Sequence, residues 1–189
     1  AKVVRIFTGY IQDEEAHAKE WNDCVAAVRE CAAIAERNGV VIGLQNHHDH
    51  GVASDAYVEL LDDVGHPACK AMFDPWAPCL HGDDLQALAV KIAPRMVQTT
   101  LADYVRLRRF KYQPAIVNYE RREDALRAVP LGQGMMDNAA FLRGLREGGF
   151  NGYVAYEMCS PLRGGGSEAN LDAAAAASLK FIQGAIRPA

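Results

Sequence analysis

Paired cysteines are missing from this sequence: five are present, at Cys24, Cys31, Cys69, Cys79 and Cys159, and none stands in a CxxC arrangement. The count is odd and most fall among apolar neighbours, which suits reduced core thiols and predicts a cytoplasmic protein. No apolar run approaches the roughly 18 residues that cross a bilayer. No basic segment followed by an apolar one marks a secretory signal. Charge of one sign is scarce too: 20 Lys and Arg stand against 24 Asp and Glu, a net of -4. That mild acidity argues against nucleic acid or a membrane surface as the main partner. Pro- or Gly-rich linkers are absent, and the only low-complexity tract, Ala173–Ala177, is ordinary helix former. One domain over residues 1–189 is therefore expected. What remains is 50% hydrophobic, enough to bury a core.

The apolar residues alternate between two periods. Val3-Val4-Arg5-Ile6-Phe7 is a β-branched and aromatic run stopped by Thr8-Gly9, and it reads as a strand. After Gln12-Asp13-Glu14-Glu15, residues Trp21, Cys24, Val25, Val28, Cys31, Ala32 and Ala35 recur at helical spacing up to Asn38-Gly39. The cycle repeats: a strand at 40–44, then a helix capped by Ser54 that carries Tyr57, Leu60, Leu61 and Val64. A strand at 69–73 follows, with a helix marked by Leu85, Leu88, Ala89 and Ile92. Then comes a strand at 95–102 and a long polar insertion. Asp137 next caps a helix with Phe141, Leu142 and Leu145. A strand at 152–156 precedes a last helix striped by Leu171, Ala175, Leu179, Ile182 and Ile186. Five strand–helix pairs with mostly continuous apolar strands imply a parallel α/β sheet covered by helices. Periodicity alone does not choose between a doubly wound sheet and a barrel.

The strands share a second feature. From the second onward each runs into polar or acidic residues: Leu44 into Gln45-Asn46-His47-His48-Asp49-His50, Phe73 into Asp74, Ala102 into Asp103, Tyr156 into Glu157. In a parallel sheet the C-terminal strand ends lie on one rim, where barrel enzymes keep their chemistry.

Several segments resemble those of the xylose isomerase-like TIM-barrel superfamily of sugar phosphate isomerases and epimerases, the AP endonuclease family 2-like group. Ile42-Gly43-Leu44-Gln45-Asn46-His47 is similar to its hydrophobic-x-hydrophobic-Glu-Asn-His strand, and Met72-Phe73-Asp74-Pro75 to its metal-ligand Asp strand. Val97-Gln98-Thr99-Thr100-Leu101-Ala102-Asp103 looks like the strand that carries His-x-His-x-x-acid. Val129-Pro130-Leu131-Gly132-Gln133-Gly134, with Leu145, Gly149-Phe150-Asn151-Gly152-Tyr153 and Glu157, resembles the closing stretch. The likeness covers essentially the whole chain.

The resemblance implies a (β/α)₈ TIM barrel, here partial, with about five βα units from its C-terminal part. It implies a sugar isomerase or epimerase acting on a small carbohydrate or polyol through a divalent cation (Mn, Mg, Co or Zn). The family's four ligands, Glu, Asp, His and Glu, fall on Gln45, Asp74, Thr100 and Glu157. Only Asp74 and Glu157 keep the ligand type, and those two become the catalytic carboxylates. An amide at Gln45 accepts no proton, so elimination by a lyase or dehydratase, or a metal-free carbohydrate-binding role, stand as alternatives. Gln45, Asn46, His47, Trp76, Asp103 and Arg106 are the expected substrate contacts. His48, His50 and His81 offer further nitrogens. Arg163-Gly164-Gly165-Gly166-Ser167 ahead of the last helix is either a phosphate-binding turn or a flexible loop. A complete barrel has eight strands and about 250 residues. The chain starts at Ala1, not Met, and either a longer protein or self-association would cover the edges that five strands leave open.

Overall fold

The structure, a computed structural model, describes residues 1–158 and 160–186, the side chain of Glu14 excepted. Cys159 lies outside the described residues. Contacts divide the chain into two compact units, Ala1–Leu101 with Ala140–Ala155, and Ala102–Ala139 with Tyr156–Ala189.

The first unit is built on a sheet. Strands β1 (Val3–Ile6), β2 (Val41–Gln45), β3 (Cys69–Met72) and β4 (Met96–Leu101) pair in parallel in chain order, and β7 (Tyr153–Tyr156) adds beside β4. Alternate residues face opposite ways. Ile42 packs with Ala32 and Ala35 of helix α1 (His17–Arg37), while Phe73 meets the rings of Tyr57 and Phe141. Residues of the other parity, Gly43, Gln45, Met72, Asp74 and Thr100, therefore line the face away from the helices. That face is crowded at Gly43, where a Cβ would lie 3.0 Å from the Met72 side chain.

The helices end as their sequences dictate. A 3₁₀ turn, Glu14–Ala16, leads into α1, and the Glu20 carboxylate accepts the N–H groups of Gln12 and Asp13 just ahead of that turn. Helix α2 (Ser54–Val64) buries Tyr57, Leu60, Leu61 and Val64 as expected. Ser54 is not its cap, however. It is the first helical residue, and its hydroxyl donates to Asp83 at 2.7 Å. Helix α3 (Trp76–His81) has six residues, too few for an apolar period to show. Helix α4 (Leu85–Ile92) is capped by Asp84, which accepts from the backbone of Gln86 and Ala87. Helix α5 (Asn138–Glu147) approaches α4 so closely that a Cβ on Gly144 would collide with the Gln86 carbonyl.

The second unit holds the largest departure from the sequence reading. The polar insertion is an antiparallel ribbon, β5 (Tyr104–Gln113) and β6 (Asn118–Ala128), joined by a 3₁₀ turn at Pro114–Ile116. Helix α6 (Glu168–Ala185) starts at Ser167, whose side chain accepts from Asn170. Its buried line is Ala174, Ser178 and Ile182. Of the expected stripe only Ile182 is inside; Leu171, Leu179 and Ile186 are exposed. Small residues mark the close face, and the Ser178 hydroxyl accepts the Leu131 N–H there. The glycine-rich turn before α6 is held by Asn170, whose amide donates to the carbonyls of Arg163 and Gly165. Among the described residues no helix is long and apolar enough to cross a membrane.

Candidate functional site

In the first unit the sequence delivers polar groups to three strand ends, and hydrogen bonds lock them together. Gln45, the last residue of β2, is buried and donates its amide to Asp74 Oδ2 at 2.7 Å. The other carboxylate oxygen of Asp74 accepts the Trp76 backbone N–H at 2.9 Å. Asn46 grips the Asp74 main chain from both sides. Its Nδ2 donates to the Asp74 carbonyl at 2.9 Å, and its Oδ1 accepts the Asp74 N–H at 2.7 Å. This two-bond clip does across the β2–β3 gap what a further ladder step would do. Thr99 adds a third tie, its hydroxyl donating to the Phe73 carbonyl at 2.7 Å.

Two buried oxygens on this face have no hydrogen-bond partner among the described residues: Gln45 Oε1 and Thr100 Oγ1. A buried polar atom left unpaired costs about 1–3 kcal/mol, so the pair marks where a ligand's polar groups would be welcome. The amide end is fixed by chemistry, since only the –NH₂ can face a carboxylate. Gln45 thus offers a carbonyl oxygen, and Thr100 a hydroxyl that both donates and accepts.

The loop after β2 is less settled in its backbone. His48 has φ 61° and ψ 171°, a region that glycine alone enters freely. Burial, then the neighbouring His47, lowers its imidazole pKa below the ordinary 6.5. His47 itself is exposed and accepts the Thr8 hydroxyl only through its carbonyl. His50 is buried, with Nε2 4.0 Å from Glu20, and His81 is exposed at the end of α3. Trp76 is half-buried as the first residue of α3.

The second unit carries the remaining expected residues. Asp103 is 1% exposed, and its carboxylate accepts four backbone N–H groups: Gly132 and Gly134 at 2.9 Å on Oδ2, Tyr104 at 2.9 Å and Met136 at 3.2 Å on Oδ1. That makes Asp103 a clamp for the turn through residues 132–136, and its oxygens are engaged by the chain itself. Sequence reasoning placed an acid at the end of β4 correctly but assigned it to substrate. The glycines that face it were the missed signal, because a Cβ on Gly134 would run into the carboxylate. Arg106 lies on the ribbon, exposed, opposite Leu126. Glu157 follows β7 directly and is half-buried.

Among the described residues no three His, Cys, Asp or Glu side chains gather in a way that could hold a divalent cation. Asp74, the carboxylate that follows β3, already receives two N–H donors. A cation would have to compete with them, and Gln45 and Thr100 bring no charge to help. As arranged, these residues do not fit a metal: what they leave open is an amide oxygen at Gln45 that can accept a hydrogen bond and a hydroxyl at Thr100 that can donate and accept.

Comparison with known proteins shows where this arrangement belongs. No curated protein matches the chain. Solved structures do. A xylose isomerase-like TIM barrel protein from Mycobacterium smegmatis, in complex with magnesium, superposes with a TM-score of 0.66 at 18% identity, over 99% of this chain and 63% of the other. A D-allulose 3-epimerase from Methylomonas sp., in complex with D-allulose, gives 0.70 at 15%, over 95% and 62%. The probable 3-DHS dehydratase AsbF from Bacillus anthracis gives 0.68 at 17%, over 96% and 63%. The chain thus spans less than two thirds of each, and the five sheet strands are part of a TIM barrel. A model of the xylose isomerase-like TIM barrel family matches residues 1–184, and the chain belongs to that family.

Proposed function

We propose that this chain is part of a sugar isomerase- or epimerase-type enzyme that takes a small carbohydrate or polyol at the C-terminal ends of β2, β3 and β4. The carrying observation is the buried Gln45–Asp74 hydrogen bond beside two unpaired oxygens, Gln45 Oε1 and Thr100 Oγ1. A polyol presents vicinal hydroxyls, each a donor and an acceptor, and two such groups would satisfy both atoms. The D-allulose 3-epimerase and the dehydratase share the fold and support this substrate class.

The chemistry follows from what the residues can carry. Proton transfer beside a carbonyl needs a carboxylate base, and Glu157 keeps the type that the resemblance assigns to that step. The position expected to hold a second base is Gln45, an amide. One-base isomerisation fits this, as does elimination, in which the base takes a carbon-bound proton and a hydroxyl leaves as water. The family's divalent cation would require the Gln45 amide to turn and release Asp74.

The test is calorimetric titration of the full-length protein with ketoses, inososes and dehydroshikimate-like keto acids, with EDTA or MnCl₂, followed by product analysis. Binding in EDTA that weakens about tenfold in Gln45→Ala or Thr100→Val supports the reading. Neither binding nor turnover in any condition sinks it. Turnover that depends wholly on Mn²⁺ would move Gln45 and Asp74 to a cation site.

A further inference from the structure

The outer part of the ribbon of β5 and β6, residues 106–112 and 118–123, is exposed on both faces. A two-stranded ribbon is marginal on its own in water, and this one is ten or eleven residues along each strand. On its face with Phe110 and Tyr112 the rings stay exposed but have cross-strand neighbours: the Arg121 guanidinium sits 5.9 Å from the Phe110 ring centroid, and Tyr112 pairs with Tyr119 at 5.4 Å. The opposite face presents Arg109, Lys111 and Arg122, with Arg122 directly across from Arg109 and one acid, Glu120, across from Lys111 and paired with Arg122 at 3.2 Å. Arg109 and Lys111 have no ion-pair partner among the described residues.

The tip adds strain to exposure. Val117 has φ 50°, a left-handed backbone that costs a β-branched residue energy. It is 76% exposed, and Ile116 beside it is 64% exposed. The Val117 N–H donates to the Pro114 carbonyl at 3.3 Å, and the two apolar side chains stay in water.

Charge says what the ribbon meets. Between Tyr104 and Ala128 there are seven Lys and Arg and three Asp and Glu, so this segment carries +4 while the whole chain carries -4, which leaves -8 on the rest. Part of that excess is concentrated on α2, which has Asp55, Glu59, Asp62 and Asp63, all exposed, and no Lys or Arg. Asp62 pairs with Arg95 at 2.8 Å and Asp63 accepts the Trp21 indole N–H. Asp55 and Glu59 have no ion-pair partner among the described residues. They lie four residues apart on one side of the helix, about 6 Å along its axis. Arg109 and Lys111 lie two apart on one side of a strand, about 6.7 Å.

We propose that the basic face of this ribbon docks on α2 of a second copy of this chain, Arg109 and Lys111 against Glu59 and Asp55. The contact is reciprocal in a two-fold dimer, each copy giving its ribbon and receiving the other's. Nucleic acid or an anionic membrane would also attract a basic ribbon, but neither explains an acidic helix with matching spacing.

The experiment is light scattering with sedimentation of the full-length protein at low and physiological salt. The wild type should weigh twice its chain mass. Arg109→Glu with Lys111→Glu, and separately Asp55→Lys with Glu59→Lys, should each weaken the dimer by about tenfold or more. Joining both pairs of reversals in one chain should restore it. All four positions are exposed, and circular dichroism of each variant reports that it is folded. A monomeric wild type overturns the proposal, whether or not the ribbon then retains RNA or anionic vesicles. So does a dimer indifferent to both reversals, or a combined variant that stays monomeric.

Discussion

Gln45 donates its side-chain amide to Asp74 at 2.7 Å in a buried position, joining the ends of two neighbouring parallel strands. The amide compensates the carboxylate without adding charge. Gln45→Glu would set two carboxylates against each other, and like charges this close cannot both ionise cheaply. One of them then has a raised folded-state pKa, so the stability it contributes is present at low pH and lost as pH rises. The variant should lose about 2 kcal/mol at pH 8 and less at pH 5. It should also be stabilised by Mn²⁺ more than the wild type is. Thermal melts in EDTA and in MnCl₂ at the two pH values check both points.

Asn46 binds both main-chain groups of Asp74. Asn46→Ala leaves a buried N–H and a buried C=O unpaired, a cost of about 3 kcal/mol. Urea midpoints read this directly, and an unchanged slope with denaturant would show that stability alone has moved.

Gly134 faces the Asp103 carboxylate with no room for a Cβ. Gly134→Ala should break the clamp and cost roughly 2–4 kcal/mol, against a few tenths for Gly166→Ala, where open space surrounds the position. Comparing the two midpoints separates a steric effect from loss of backbone freedom.

Thiol reactivity should divide the cysteines. Cys31 is exposed, while burial pushes the Cys69 thiol up to about 11, with Arg95 and Lys70 opposing. Burial also raises Cys24. At pH 8.5 the native protein should alkylate quickly at Cys31 and slowly at Cys69, as mass spectrometry of timed iodoacetamide reactions would show. Because the folded pKa of Cys69 lies above its unfolded value, the linked stability is complete below about pH 8.5 and is lost as pH rises through 11. Equal labelling of the two thiols would contradict the burial seen here.

Much of the sheet was legible because parallel strands are buried on both faces and read as unbroken apolar runs. Val41–Gln45 stands out for that reason, Met96–Leu101 less so with Gln98-Thr99-Thr100 inside it, and Gly39 and Gly65 mark where α1 and α2 stop. The ribbon was not legible: exposed on both faces, it has no need to alternate apolar with polar, so 104–128 read as a polar insertion. In α6 the largest apolar residues suggested one stripe, whereas the close contact uses Ala174 and Ser178. The candidate site was legible as a row of strand ends. Its wiring was not, because nothing in the order of residues says that the partner of Asp74 is an amide, or that Asp103 faces glycines about thirty residues on.

Asp103 has one more consequence. The chain leaves it to build the ribbon and comes back to the same spot, where Val129 N–H binds the Asp103 carbonyl at 3.0 Å and the Gly132 and Gly134 amides bind its side chain. Everything between is a closed excursion whose two ends are stapled at the base. Such a loop can be trimmed, lengthened or exchanged for a foreign hairpin with little extra closure cost. That makes the tip around Val117 a natural place to graft a peptide or a reporter.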